Sequence, residues 1–350
     1  MAGIDVKVAS DIDRAGLETL SSALGTPTIC KDVQELAASE LRRAGKVKTP
    51  DIVFGGPPCT PFSHAGFWLD QKRLGKDPAR NLLQEYMRLV ATLKPKAFLF
   101  ENVPGLAFST HQRFLNQLVG RAKKAGYSTA WSILRADQFG VPQTRRRLIL
   151  IGLRNKPVTP IEQRQAAPLR TARWAIGDLA RKGTREHGEV PRGEYQDLLH
   201  QIPPGGNYIH FTNRGVSKKP LFKYRGRYWS FLMKINPELP APTLPATRVT
   251  YNGPFHWNNR HLRVREMARL QTFPDWWPLN DDLPTARRHL GNAVPPLFAA
   301  QIFESILENL GLAAHTNSRP IQRLKDPQSS IRDILSVMPK AQPRRMKVYD

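Results

Sequence analysis

Cysteine is scarce in this chain: Cys30 and Cys59 are the only two in 350 residues. A disulfide framework is excluded, and a reducing cytoplasm is the expected compartment. No apolar run reaches the ~18 residues that a membrane-spanning helix needs. The N-terminal MAGIDVKVASDID lacks a basic stretch followed by an apolar core, so no secretory signal is read there. The nine histidines show no ligand spacing, which argues against metal catalysis. Acid is scarce as well: 29 Asp and Glu stand against 53 Lys and Arg, a net charge of +24. A field that positive points to a polyanionic partner, nucleic acid first. The charge is spread along the chain, in RRAGKVK, RAKKAG, QTRRR and KYRGR, and is not confined to one tail.

What is present is an alternation of strand and helix signals over residues 1–153. DVKVAS, DIVFGG, AFLFEN, YSTAWSIL and RRLILIGL read as strands, DIVFGG as one of the fully buried parallel type. DRAGLETLSSALG reads as a helix capped by Asp13 and closed by Gly25. RNLLQEYMRLVATL and STHQRFLNQLVGRAKKAG, the latter with a Ser or Thr cap, are further helices. This order predicts a doubly wound α/β sheet. Over residues 154–240 the periodicity fades and Pro, Gly, Arg and aromatics rise, which predicts a smaller irregular lobe. Regular signals return over 241–314, with VREMARLQTF helical and PPLFAAQIFESILENLG a helix opened by prolines and closed by Gly311. Residues 315–350 read as a mobile basic tail.

Four stretches carry chemistry. Cys59 follows the strand DIVFGG, behind Gly55, Gly56, Pro57 and Pro58. In an open α/β sheet ligands sit beyond the carboxyl ends of strands. A thiol held there on a stiff loop is a candidate nucleophile, although a free cysteine is most often a small buried hydrophobe. Cys30 has no such frame and is expected in the core. Glu101 ends the strand AFLFEN, where a carboxylate is expected to be partly desolvated and to serve as an acid. Gln143, Arg145 and Arg147 alternate at the start of RRLILIGL and are expected to line one site, since alternate residues share a face. GNAVPP, Gly291–Pro296, reads as a tight loop opening a helix.

Taken in order, PPC-x-PFS, ENV, Q-x-R-x-R, a variable lobe, P-T-L, R-E-x-x-R-L-Q-x-F-P and GNAVPP resemble the C5-cytosine DNA methyltransferases, over about Val6 to Gly311 apart from the lobe. The resemblance implies a Rossmann-like methyltransferase sheet using S-adenosyl-L-methionine, with residues 154–240 as its target-recognition lobe. It implies that Cys59 attacks C6 of a flipped cytosine, that Glu101 acts at N3, and that Arg145 and Arg147 hold the base and the active-site loop. Asp11, Ile12, Asp32, Pro58, Leu83, Asn292 and Ala293 match cofactor positions, and Ser63, Gln143 and Thr243 match positions near DNA. The implied partners are double-stranded DNA and, in a bacterial or phage modification system, a cognate restriction endonuclease, with the enzyme in the cytoplasm on the nucleoid.

One departure stands out. The family opens with a strand and a loop of the form F-x-G-x-G-G, and neither end of this sequence contains it. The first strand of the sheet is therefore expected to be missing from the residues read here, through a truncated gene product, a misassigned start, or a separate N-terminal segment supplied by another polypeptide. Two rival readings follow: a DNA-binding remnant without activity, and the branch of the family that methylates cytosine in transfer RNA. The sizeable lobe favours DNA.

Overall fold

The computed structural model describes residues 3–58, 79–162, 169–180, 186–216 and 219–312. Cys59, Ser63 and the basic tail lie outside the described residues. The strands are β1 (Ala9–Asp11), β2 (Thr28–Cys30), β3 (Ile52–Gly55), β4 (Ala97–Asn102), β5 (Tyr127–Arg135), β6 (Arg146–Arg154), β7 (Phe255–His256) and β8 (Arg260–His261). The helices are α1 (Arg14–Leu24), α2 (Ala38–Gly45), α3 (Ala79–Leu93), α4 (Gln112–Lys124), α5 (Ala172–Ile176), α6 (Gln196–Gln201), α7 (Val264–Leu270), α8 (Leu283–Asn292) and α9 (Pro296–Leu310).

The main sheet has the order β3-β4-β6-β5, with β3 parallel to β4 and β6 antiparallel to both its neighbours. It is therefore a mixed sheet, because β5 and β6 pair as antiparallel neighbours instead of being separated by a crossover helix. Helices cover both faces. Phe98, Phe100, Leu148 and Leu150 face α3 and α4, while Leu99, Ile149, Ile151 and Leu153 face α9. Gly152 sits opposite Phe98 in the ladder, and a Cβ there would lie 2.0 Å from the Phe98 ring, so the glycine makes room for it. Among the described residues β1 and β2 form a separate parallel pair. Ile29 of β2 and Val53 of β3 pack against the same cluster of Leu36, Ala38, Leu89 and Leu93. The Arg88 guanidinium ties α3 to this region through the carbonyls of Val33 and Leu36, at 3.0 and 2.9 Å.

Local signals place several boundaries correctly. Asp13 caps α1 by accepting from Gly16 N, Gly25 closes it at φ 67°, and Gly311 closes α9 at φ 72°. Other expectations change. β3 is half-buried, not fully buried, because β4 is its only strand neighbour among the described residues. Cys30 is exposed, since the two-residue period turns it outward beside Thr28, and its Sγ reaches Ile12 O at 3.6 Å. Ser109 and Thr110 do not cap α4; His111 holds that position, without a capping bond from its side chain. GNAVPP does not simply open a helix: Gly291 and Asn292 end α8, which begins with Asp282 as its cap and a proline in its first turn. The lobe has its own aromatic core of Tyr208, Phe211, Leu232 and Phe255, joined by Tyr195, Phe222, Phe231 and Tyr251. Its packing thus runs past residue 240.

Candidate active site

β3 and β4 deliver their candidates at their carboxyl ends, and the antiparallel β6 delivers Arg147 at its amino end. β4 ends in Glu101 and Asn102, and β3 ends where Gly55 to Pro58 lead toward Cys59. Glu101 faces Ile149 across the β4–β6 ladder, and Arg147 stands two residues earlier on β6, hence on the same face. The Arg147 Nε meets Glu101 Oε1 at 2.6 Å, with the two side chains 13% and 17% exposed. The pair is sheltered yet reachable from outside. A Cβ on Gly56 would lie 2.8 Å from Glu101 Oε2, so the backbone three residues before Cys59 rests directly on the carboxylate. Asn102, buried, donates from Nδ2 to Pro57 O at 3.1 Å and clamps the same loop to β4. The sequence places Asn102 only within AFLFEN and the ENV motif and assigns it no role; its position beside Glu101 was the available signal. Replacing Gly56 with alanine is expected to displace the Glu101 carboxylate and lower methyl transfer by about 10²-fold, the cost of an ångström-scale misplacement. A methyl-incorporation assay beside a thermal melt checks this, and unchanged turnover would refute it.

Of Gln143, Arg145 and Arg147, expected to line one site, Arg147 meets Glu101, while Gln143 and Arg145 bond to residues of the returning chain. β6 begins at Arg146, so the strand period does not govern the residues before it. Gln143 is fully buried and accepts from Leu244 N at 3.5 Å, inside the seam to the returning chain. Arg145 is fully buried too, its Nη2 donating to Gly291 O at 2.9 Å. The same seam is stitched by Thr144 N to Ala241 O at 2.8 Å and Thr243 Oγ1 to Thr144 O at 3.1 Å. Thr243 itself is exposed. A Cβ on Gly291 would sit 2.3 Å from Ala246 Cα, so only glycine lets the end of α8 lie against the segment 241–246. Arg145 thereby positions the loop carrying Asn292 and Ala293, of which Asn292 is exposed and Ala293 half-buried.

At the ends of the parallel pair β1–β2 stand Asp11, Ile12 and Asp32. Asp11 accepts from Asp13 N at 2.9 Å and Asp32 from Gln34 N at 2.8 Å, each through Oδ1. Ile12 is 71% exposed, an apolar side chain left in water between two carboxylates. That set suits a nucleoside: acids for hydroxyl and amino groups, an aliphatic surface for a ring. Pro58 is exposed at the end of the β3 loop. Leu83 is instead packed into the core with Tyr86, Val90 and Phe100. Asp13 below them pairs with Arg288 and, at 3.0 Å, with His289. Burial acts against the Asp13 carboxylate, but the bonds from Arg288, Gly16 N and His289 hold its pKa below the usual range.

The lobe is fastened by a buried charge network that sequence reading missed. Arg260 bonds Glu266 with both terminal nitrogens, at 2.9 and 2.6 Å, and meets Glu189 at 2.9 Å. Arg287 donates to Glu186 at 2.5 Å, and Val264 N donates to the other oxygen at 2.8 Å. Burial nevertheless pushes the Glu186 carboxyl up. His256 lies 3.8 Å from Glu266, but burial and then Arg260 and Arg263 push its pKa down to about 3, so Arg260 is the charged partner.

The family model described as C-5 cytosine-specific DNA methylase matches residues 1–308. The type II methyltransferase M.SacI of Streptomyces achromogenes is 38% identical over 333 residues, covering 87% of this chain and 85% of the relative. The type II methyltransferase M.XorII of Xanthomonas oryzae pv. oryzae is 30% identical over 361 residues, covering 88% and 81%. The solved structure of the S. pombe Dnmt2 methyltransferase superposes with a TM-score of 0.61 at 17% identity, over 89% of this chain and 94% of that one, a likeness of fold.

Proposed function

The chain belongs to the C-5 cytosine-specific DNA methylase family, and we propose that Cys59 is the nucleophile and Glu101 the acid that together methylate a cytosine flipped out of duplex DNA. The observation that carries this reading is the Glu101–Arg147 pair lying against Gly56, three residues before Cys59. C5 of cytosine is a poor nucleophile, and covalent addition divides one hard step into easier ones. The Cys59 thiolate forms a bond to C6 while Glu101 protonates or hydrogen-bonds N3, and the displaced electron pair makes C5 nucleophilic. Once C5 is methylated its proton is lost to a base, the C6–S bond breaks, and the thiolate is regenerated. Arg147 orients the Glu101 carboxyl throughout. The base must leave the stack to reach such a site.

S-adenosyl-L-methionine, when bound, supplies the electrophilic methyl group. Asp11 and Asp32 are proposed to take its ribose and adenine polar groups, Ile12 and Pro58 its ring, and Asn292 and Ala293 its amino-acid end. The named type II relatives support a modification enzyme with a cognate restriction endonuclease as its counterpart. Among the described residues no helix is long and apolar enough to cross a membrane.

The test is a covalent trap. Duplex DNA containing 5-fluorocytosine, incubated with the chain and S-adenosyl-L-methionine, is expected to give an adduct that survives denaturing electrophoresis and is absent for Cys59→Ala. DNA binding without any adduct would identify a catalytically inert DNA-binding remnant. An adduct with transfer RNA alone would move the substrate to RNA.

A further inference from the structure

Between Asp197 and Glu238 the chain contains no acidic residue and seven lysines and arginines. This stretch includes a cluster of open aromatics: Tyr224, Tyr228 and Trp229 are 36%, 44% and 52% exposed. The Arg214 guanidinium lies 3.9 Å from the centroid of the Tyr224 ring. Stacking of this kind holds the planar fork in one orientation before any ligand arrives.

The side chains are open, but the backbone beneath them is held. Arg214 N donates to Thr212 Oγ1 at 3.2 Å and Gly215 N to Thr212 O at 3.0 Å. A Cβ on Gly215 would lie 2.1 Å from Ile209 O, so the turn presses on the backbone below it. The buried Tyr208 hydroxyl accepts from Arg225 N at 2.8 Å and donates to Arg225 O at 2.6 Å. Asn207 Nδ2 bonds Trp229 O at 2.8 Å. A second arginine–aromatic stack, Arg170 on Trp174 at 4.6 Å, differs in its surroundings. There the neighbouring arginines are neutralised, Arg173 by Glu238 at 2.7 Å and Arg269 by Asp178 at 2.7 Å. Of these two stacks, the Arg214–Tyr224 one stands in a local excess of positive charge.

Resting on the reading of duplex DNA as substrate, we propose that Arg214 is a specificity-determining residue that reads a guanine of the recognised site through its O6 and N7, with Lys223 and Arg225 on the flanking phosphates. A planar fork with two parallel donors matches guanine's two major-groove acceptors, whereas phosphate contacts position the protein without reading sequence.

The test selects bound sequences from a pool of random duplex DNA using the whole chain, and requires no methyl transfer. The wild type is expected to enrich a motif containing guanine. Arg214→Ala and Arg214→Lys are both expected to lose discrimination at one guanine position by about 5- to 150-fold, because lysine keeps the charge and loses the fork. Lys223→Ala is expected to weaken all sequences evenly and reduce the salt slope by about one. The proposal is overturned if Arg214→Ala weakens every sequence equally, if Arg214→Lys keeps the preference, or if the wild type enriches no motif. A chain that enriches a motif yet forms no 5-fluorocytosine adduct would instead overturn the catalytic reading.

Discussion

Glu101→Ala is expected to lower the single-turnover rate of methyl transfer by about 10²–10⁴-fold, the usual contribution of a positioned acid. Cofactor and DNA affinities should stay within a few-fold, because the side chain is small and sits at the reacting base. The carboxylate is placed by three independent contacts: the register of β4 against β6, the Arg147 Nε at 2.6 Å, and the Gly56 backbone against its other oxygen. Losing it removes the proton source at N3 and leaves Arg147 without its partner. Glu101→Gln keeps the shape and a hydrogen bond but transfers no proton, so its rate should fall between wild type and alanine. Less than a tenfold loss for Glu101→Ala would take the residue out of the chemistry. Quenched methyl incorporation with enzyme in excess over DNA, beside equilibrium binding of each ligand, separates the two effects.

The second large effect concerns stability. Glu266→Ala is expected to cost about 3–5 kcal/mol, the penalty for removing one partner of a buried ion pair. Glu266 is fully buried and bonds Arg260 through both oxygens, while one oxygen also accepts from Arg263 N at 2.9 Å. Without it the Arg260 charge remains inside, with Glu189 as its other carboxylate contact. Urea unfolding followed by tryptophan fluorescence reports this directly, since Trp257 packs on His256 beside the network. A loss below 1 kcal/mol would show that the pair carries little net stability. Glu266→Gln, which retains the acceptor for Arg263 N, should lose less than alanine.

These two residues show different degrees of legibility. Glu101 was readable as an acid because four apolar residues precede it and a turn follows, a local pattern that burial alone explains. Its ion pair with Arg147 was not readable, since it depends on β6 pairing antiparallel with β4 across more than forty intervening residues. Glu266 sits in a recognisable motif, R-E-x-x-R-L-Q-x-F-P, yet its partners Arg260 and Glu189 come from segments that folding alone brings together. The motif predicted a helix and was silent on what the helix holds. For Gln143 and Arg145 the local period suggested a shared face, and only tertiary packing showed that both are buried in the seam to the returning chain.

By itself the sequence determined the short-range features of this protein: the caps at Asp13, Gly25 and Gly311, the strands that end in Gly55 and Glu101, and the order of motifs that marks its family. Each depends on neighbours within a few residues, through hydrogen bonds and side-chain periodicity. Tertiary structure alone decided which of those residues meet. It made the sheet mixed, set Glu101 against Arg147 and Gly56, sank Gln143 and Arg145 into the seam with residues 241–246, and left Cys30 and Ile12 outside. The physical reason is that burial and ion pairing are set by contacts between distant segments, and these exist only once the sheet, the seam and the lobe have closed on one another.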